Sequence, residues 1–450
     1  MTNPFTKVDD LLPLNAPNHP ARGTILTNEP TIQLFDSVHS TRRLRPLEAS
    51  TNDDIERLER YFGKSLEHNL KVLQNNHASA QYKTSPWPSS YWPMYKDGIN
   101  HRWNNGEASP AEKYATAFGK NVGDFTNGVS RKHGVLAATG NKPCTKHTDC
   151  GDDDCGVRHG EASGYCMAHW EGLCHAWAPA AILEPEPQCA VQKNGVTFNV
   201  MDIKGLLTQV YNSADVGTVF TGARYDGPSD SNAVDAFGRF TDAARCDLGA
   251  GYFHIAFSNI LGKFGMSFVI DTSPDAAVWN EPIRGYNVKK IENYSLADAA
   301  AKYFNATAYP FNDQATKVAY VSTDISWIFE REDDRPYVPA HADEATNEET
   351  YEYLLELDGN DEILGGEWVG KSRAAHPDFL WLPTQRAAAD TVTSFGLSYA
   401  DVLELLEMSV ACSGATVPPL ASTPTIAAPT ATIATMAITA MVTVTVPPST

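Results

Sequence analysis

The chain reads as an α+β protein, because three- and four-residue apolar steps dominate its first third and short β-type segments dominate its second half. The first helical pattern begins near Ser50, where Leu58, Tyr61, Phe62, Leu66, Leu70 and Leu73 mark one face of an amphipathic helix. A second helix opens at Ser109-Pro110-Ala111-Glu112. There Ser caps, Pro suits the first turn and Glu reaches back to the cap amide. Tyr114, Ala117, Phe118 and Val122 supply its apolar face. A cysteine-rich stretch leads into the helix-forming run LCHAWAPAAIL, which the Pro185-Glu186-Pro187 breaker ends. Beyond it, Val196, Phe198 and Val200 alternate as a strand, GLLTQVY suits a helix, and the apolar run from Phe253 to Ile270 suits a pair of strands. The segments KVAYVST and TYEYLLEL read as further strands. The expected organisation is an extended arm or pro-segment over 1–49, a main region over 50–411 and a tail over 412–450. The main region divides into a helical part (50–135), a Cys-rich loop with its following helix (136–190) and a strand-rich part (191–411).

Composition narrows the function. At 450 residues with 42% hydrophobic content, the chain can bury a large core. The 55 acidic against 35 basic residues give a net charge of −20, and no basic stretch forms a phosphate-tracking face, so nucleic acid is a poor partner. No apolar run is long enough to span a bilayer. Six of the eight cysteines fall between Cys144 and Cys189, in a Gly- and Asp-rich stretch typical of disulfide-stapled segments. Zinc is the competing explanation, yet no C-x-x-C pair occurs. Disulfides and the sequons at Asn293 and Asn305 point to an oxidising, secreted setting, although MTNPFTKVDDLLPLN shows no signal-peptide pattern. From Cys412 the chain turns to Thr, Ala, Pro and Val, the composition of a disordered end or an O-glycosylated stalk.

Cys174 stands apart from the other cysteines. It follows Trp170-Glu171-Gly172-Leu173 and opens a helix-forming run, which puts its sulfur where unpaired amides and the helix dipole favour a thiolate. His175 is badly placed as its base, because consecutive helix residues point apart. His254, in the strand-like GYFHIAF, is the expected base. A reversal at Gly262-Lys263 would set it opposite Asp271, which would orient the imidazole. The plainer readings are a disulfide half for Cys174, a core histidine for His254 and a turn former for Asp271. Setting aside Cys174 and the isolated Cys412 leaves six cysteines for three bridges.

Residues 278–290, VWNEPIRGYNVKK, resemble the thirteen-residue defence-eliciting motif of the oomycete transglutaminase elicitor family, with Trp279, Pro282, Arg284 and Gly285 in the family's places. GYCMAHWEGLCHAWAPAAILEP and FHIAFSNILGKFGMSFVIDTSPDAAVWNEP extend the likeness. Departures are Glu281 for Gln, Ile283 for Val, Tyr286 for Phe, Asn287 for Lys, and Lys289-Lys290 for Tyr-Glu. The resemblance implies a secreted, glycosylated wall protein with calcium-dependent transglutaminase activity, glutamine- and lysine-bearing protein substrates, possible recognition by a host immune receptor, and a fold distantly similar to papain-like cysteine proteases. On that pattern Cys174, His254 and Asp271 are the catalytic set. Trp170, His169 and Trp279 are candidates for the oxyanion or for shielding the site, as Trp177 is for excluding water. The acidic turns Gly151–Asp154 and Asp358–Asp361 offer oxygens for calcium, without a complete EF-hand, and the metal ligands are left unassigned. A papain-like protease or deamidase, and a non-catalytic wall protein, remain alternatives.

Overall fold

The computed structural model describes residues 11–16, 18–22, 46–227, 233–245 and 248–414, and the side chains of 46–52 and 243 are left aside. The expected tail from 415 onward, and the arm apart from 11–16, 18–22 and 46–49, lie outside the described residues.

The helices are α1 (Pro46–Phe62), α2 (Leu70–Asn76), α3 (Pro110–Ala117), α4 (Val122–His133), α5 (Cys174–Leu183), α6 (Val200–Ser213), α7 (Ala250–Phe257), α8 (Leu296–Phe304) and α9 (Tyr399–Ala411). The strands of the main sheet are β1 (Leu12–Pro13), β2 (Ser79–Gln81), β8 (Gly217–Gly222), β9 (Val269–Asp271), β10 (Asn280–Tyr294), β11 (Lys317–Ile328), β12 (Thr346–Leu357), β13 (Ile363–Trp368) and β14 (Phe379–Pro383). Their order is β1-β8-β14-β9-β10-β11-β12-β13, with β2 also on β10, and every pairing is antiparallel. Short strands β3 (Pro143–Cys144), β4 (Asp154–Gly156) and β5 (Gly164–Met167) form a satellite sheet, and β6 (Val191–Lys193) with β7 (Val196–Phe198) form a hairpin. The α+β expectation therefore holds, with antiparallel sheets throughout.

Local chemistry explains much of this. Ser109 Oγ accepts from the Glu112 amide at 3.2 Å while Glu112 Oε2 accepts from the Ser109 amide at 2.7 Å, so the expected capping box starts α3. The first helical stripe is broken in two at Gly63, which has φ +61°, and Leu58, Tyr61, Leu70 and Leu73 still reach one core with Phe253, Phe257, Ile325 and Tyr353. Val200 begins a helix instead of ending a strand.

The larger departure is the run from Phe253 to Ile270, expected as two strands. Residues 250–257 are helical, 258–263 continue as a π-turn, and only Val269–Asp271 is a strand. Every residue of α7 is buried, so it is apolar on all sides and carries no helical period to distinguish it from a strand. The supposed turn at Gly262-Lys263 does not exist, and Asp271 pairs with Asn280, not His254.

Six of the seven described cysteines form disulfides. Cys144–Cys155 and Cys150–Cys166 staple the satellite sheet, and Cys189–Cys412 joins the start of the β6–β7 hairpin to the end of α9. Cys412 is thus not isolated as expected, and Cys246 lies outside the described residues. Cys174 is free and buried. No helix among the described residues is long and apolar enough to cross a membrane.

Candidate active site

Cys174 is the first residue of α5. The approach to it is tight: the Leu173 amide donates to the Tyr91 carbonyl at 2.6 Å, and a Cβ on Gly172 would sit 2.7 Å from that same oxygen. Glycine is what lets the chain pass Tyr91 and enter the helix. From Cys174 to Ala181 α5 is buried, and Trp177 anchors it by donating Nε1–H to the Trp87 carbonyl at 3.0 Å.

The sulfur faces the start of β10. Its thiol donates toward the Val278 carbonyl at 3.6 Å, and Asn280 Nδ2 donates to Sγ at 3.5 Å. The Asn280 backbone N–H is directed at the same sulfur. Burial pushes the Cys174 thiol up to about 12, while the Asn280 donors pull it back toward the thiolate. In this conformation the sulfur is protonated and only 4% exposed.

Asp271 reaches this neighbourhood, as the cross-strand partner of Asn280. One carboxylate oxygen accepts from the Trp279 amide at 3.0 Å, and the other is buried without a hydrogen-bond partner. Burial, then the nearby Asp378 charge, hold its pKa well above the usual carboxylate range.

His254 does not reach it. Its Nδ1 pairs with the Tyr353 hydroxyl at 2.8 Å, and that hydroxyl meets Thr323, whose β10 neighbour is Val288. Asp271 takes its cross-strand place opposite Asn280 instead, and neither Cys174 nor Asp271 is among the partners of His254. Burial lowers its pKa to about 3, the state of a neutral core histidine. The expected triad is corrected on this point: Cys174 and Asp271 share one end of the sheet, and the imidazole expected between them is packed elsewhere. His175, also buried, pairs through Nε2 with Asn212 at 2.8 Å.

The other expected residues divide similarly. Trp279 meets Tyr91 edge-to-face at 5.4 Å, and Arg224 lies 5.8 Å over the Trp170 ring. His169 is taken up by Asp154 at 2.6 Å and stacks on Tyr95, and Trp177 is wholly within the core. Pro282 and Gly285 are buried in β10, and Arg284 pairs with Asp343 at 2.5 Å. The motif's exposed positions are Asn287, Lys289 and Lys290. Asn293 and Asn305 are both exposed.

Several carboxylates of the two acidic turns are engaged by protein partners. Asp361 is ion-paired to Lys71 and Lys317, Asp358 accepts from the Asn360 and Glu362 amides, and Asp154 is engaged by His147 and His169. Cys144, Cys150 and Cys155 lie within metal-like reach of one another, but all three are in disulfides.

Sequence reasoning gave no role to Asn280, Glu281 or Glu330. Buried Glu281 and half-buried Glu330 are neighbours whose charges act on each other and on Cys174. Burial raises Glu330 to about 7, and burial plus the Glu330 charge raise Glu281 well above its ordinary value. Asn280 stands inside the recognised motif, and only its position opposite a helix start could have marked it.

Scaffold and thiol together define a class. The family model described as Transglutaminase elicitor matches residues 54–412, and the chain belongs to the transglutaminase elicitor family. Among solved structures it is similar to the GP42 transglutaminase from Phytophthora sojae, at 45% identity and a TM-score of 0.73, covering 80% of this chain and 98% of that one. No match is found among curated proteins.

Proposed function

We propose that the protein is a protein-glutamine γ-glutamyltransferase with Cys174 as its nucleophile. One observation carries the reading: a reduced thiol, in a chain whose other described cysteines are all paired, sits at a helix start facing amide donors from an adjacent strand. In the reaction the deprotonated sulfur attacks the carboxamide carbon of a glutamine side chain and forms a C–S bond. The C–N bond breaks, the amide nitrogen takes a proton and leaves as ammonia, and a thioester remains. A lysine amine then attacks the thioester, the C–S bond breaks and the thiol is restored, leaving an isopeptide crosslink.

The helix start and Asn280 stabilise negative charge on sulfur, and Trp279 and Tyr91 shield the neighbourhood from water. Buried Asp271, by accepting from the Trp279 amide, holds the β9–β10 connection in place. His254 is outside this scheme, and the titratable groups whose charge bears on the sulfur are Glu330 and Glu281. Family membership supports protein substrates. The disulfides and exposed sequons support a secreted, glycosylated wall protein, with residues 278–290 as the segment a host receptor would detect. A papain-like relationship and a calcium requirement enter this reading from the resemblance alone.

Incorporation of a fluorescent amine into casein tests the reading. Cys174→Ala is expected to reduce it by roughly a thousandfold or more, while His254→Gln keeps most of it. Full activity in Cys174→Ala, or peptide-bond cleavage without amine incorporation, would reject the assignment. The same assay with EGTA shows whether calcium is needed.

A further inference from the structure

Asn280 has a fixed orientation that three distant parts of the chain impose together. Its Oδ1 accepts from Trp381 Nε1 on β14 at 2.9 Å, and an indole nitrogen can only donate. Its Nδ2 therefore faces the other way, donating to the Ala21 carbonyl at 2.8 Å and to Cys174 Sγ at 3.5 Å. A flipped amide would set oxygen against both the Ala21 oxygen and an ionised sulfur, and would oppose its NH2 to the indole N–H. All three partners thus demand one rotamer. Asn280 is wholly buried, so no water competes for these groups.

Ala21 comes from the N-terminal segment, expected from sequence to be an arm or a removable pro-segment. β1 pairs with β8, and the Leu14 amide donates to Val216 O at 2.8 Å. His19 Nδ1 accepts from the Ala21 amide at 3.2 Å, which leaves Nε2–H to donate to Thr218 Oγ1 at 2.8 Å. The His19 ring also packs edge-on against Trp381 at 5.8 Å. One small network therefore holds both partners of the Asn280 amide.

We propose that Asn280 is a catalytic residue that cradles the Cys174 thiolate with its side-chain and backbone N–H groups, and that Trp381, His19 and Ala21 are positioning residues that lock its amide toward the sulfur. The inference rests on the reading of Cys174 as nucleophile. Neutral N–H donors fixed before the charge forms stabilise it without reorganisation, the logic of an oxyanion hole applied to sulfur. Asn280 exchanges no proton and forms no covalent bond; it lowers the cost of the anion.

The test is the pH dependence of iodoacetamide alkylation at Cys174, followed by mass spectrometry of the Cys174 peptide in the full chain. Asn280→Ala is expected to move the alkylation midpoint upward by about one pH unit, slowing labelling near neutrality about tenfold. Asn280→Asp, which sets a carboxylate beside the sulfur, shifts it further. Trp381→Phe removes only the Nε1–H and is expected to shift the midpoint in the same direction by less. An unchanged midpoint in folded Asn280→Ala overturns the proposal. If Asn280→Ala does not fold, Trp381→Phe decides by the same criterion. Amine incorporation by Cys174→Ala separates the two ideas: activity surviving in that variant sinks the enzyme reading, whereas shifted alkylation in the Asn280 variants still identifies the cradle.

Discussion

At the level of single side chains, chemistry at this site is set by what burial does to charge. Cys174, Asp271, Glu281 and Glu330 are all pushed toward their protonated forms, each chiefly by loss of water. For the Glu281–Glu330 pair this has a consequence for stability. Both folded-state values lie above the ordinary carboxylate range, so the pair's contribution is complete at acid pH and is lost as pH rises from about 4.5 through about 7. Urea unfolding at pH 5 and pH 8 is expected to show a loss toward pH 8 that Glu281→Gln reduces by about 1–3 kcal/mol, because an amide cannot ionise beside Glu330. An identical pH dependence in the variant would mean that the pair does not titrate in this window. Cys174 was legible at this scale because its setting is local: a glycine approach and a helix-forming run. His254 was not, because what an imidazole touches is decided by residues such as Tyr353, 99 positions away.

At the level of elements, the capping box of α3, the helix at GLLTQVY and strands β11 and β12 follow from short-range patterns, and the structure keeps them. Patterns fail where burial is complete on every side. In α7 no polar face exists to reveal a period, and aromatic and β-branched residues favour a strand reading. The entry into α5 is the element-level constraint with the clearest test. In Gly172→Ala the new Cβ would press within 2.6 Å of the Tyr91 ring and 2.7 Å of its carbonyl. Backbone cannot yield cheaply, so the variant is expected to lose about 1–3 kcal/mol in urea unfolding and to label more slowly at Cys174 as the helix start shifts. Wild-type stability and labelling would show that the turn has slack.

For the molecule as a whole, the site depends on parts that meet only in the folded chain. The Cys189–Cys412 bridge closes a separation of 223 residues and ties α9 to the β6–β7 hairpin. Ser409 Oγ reinforces that junction by accepting from the Gln188 and Cys189 amides at 2.9 and 3.0 Å. Loop-closure arguments give such a bridge about 2–5 kcal/mol, mostly by restricting the unfolded chain. Cys412→Ser is therefore expected to unfold at clearly lower urea, and an unchanged midpoint would mean that the junction is held by α9 packing alone.

The sequence alone determined the α+β class, the disulfide-rich stretch, the family and the helix-borne thiol, since each is written in neighbouring residues or in a short motif. Tertiary structure alone decided what meets that thiol. Residues 21, 174, 280 and 381 lie on an arm, a helix and two strands, and no local period links them. Their convergence follows from strand order and register, and these are fixed by the packing of the entire sheet.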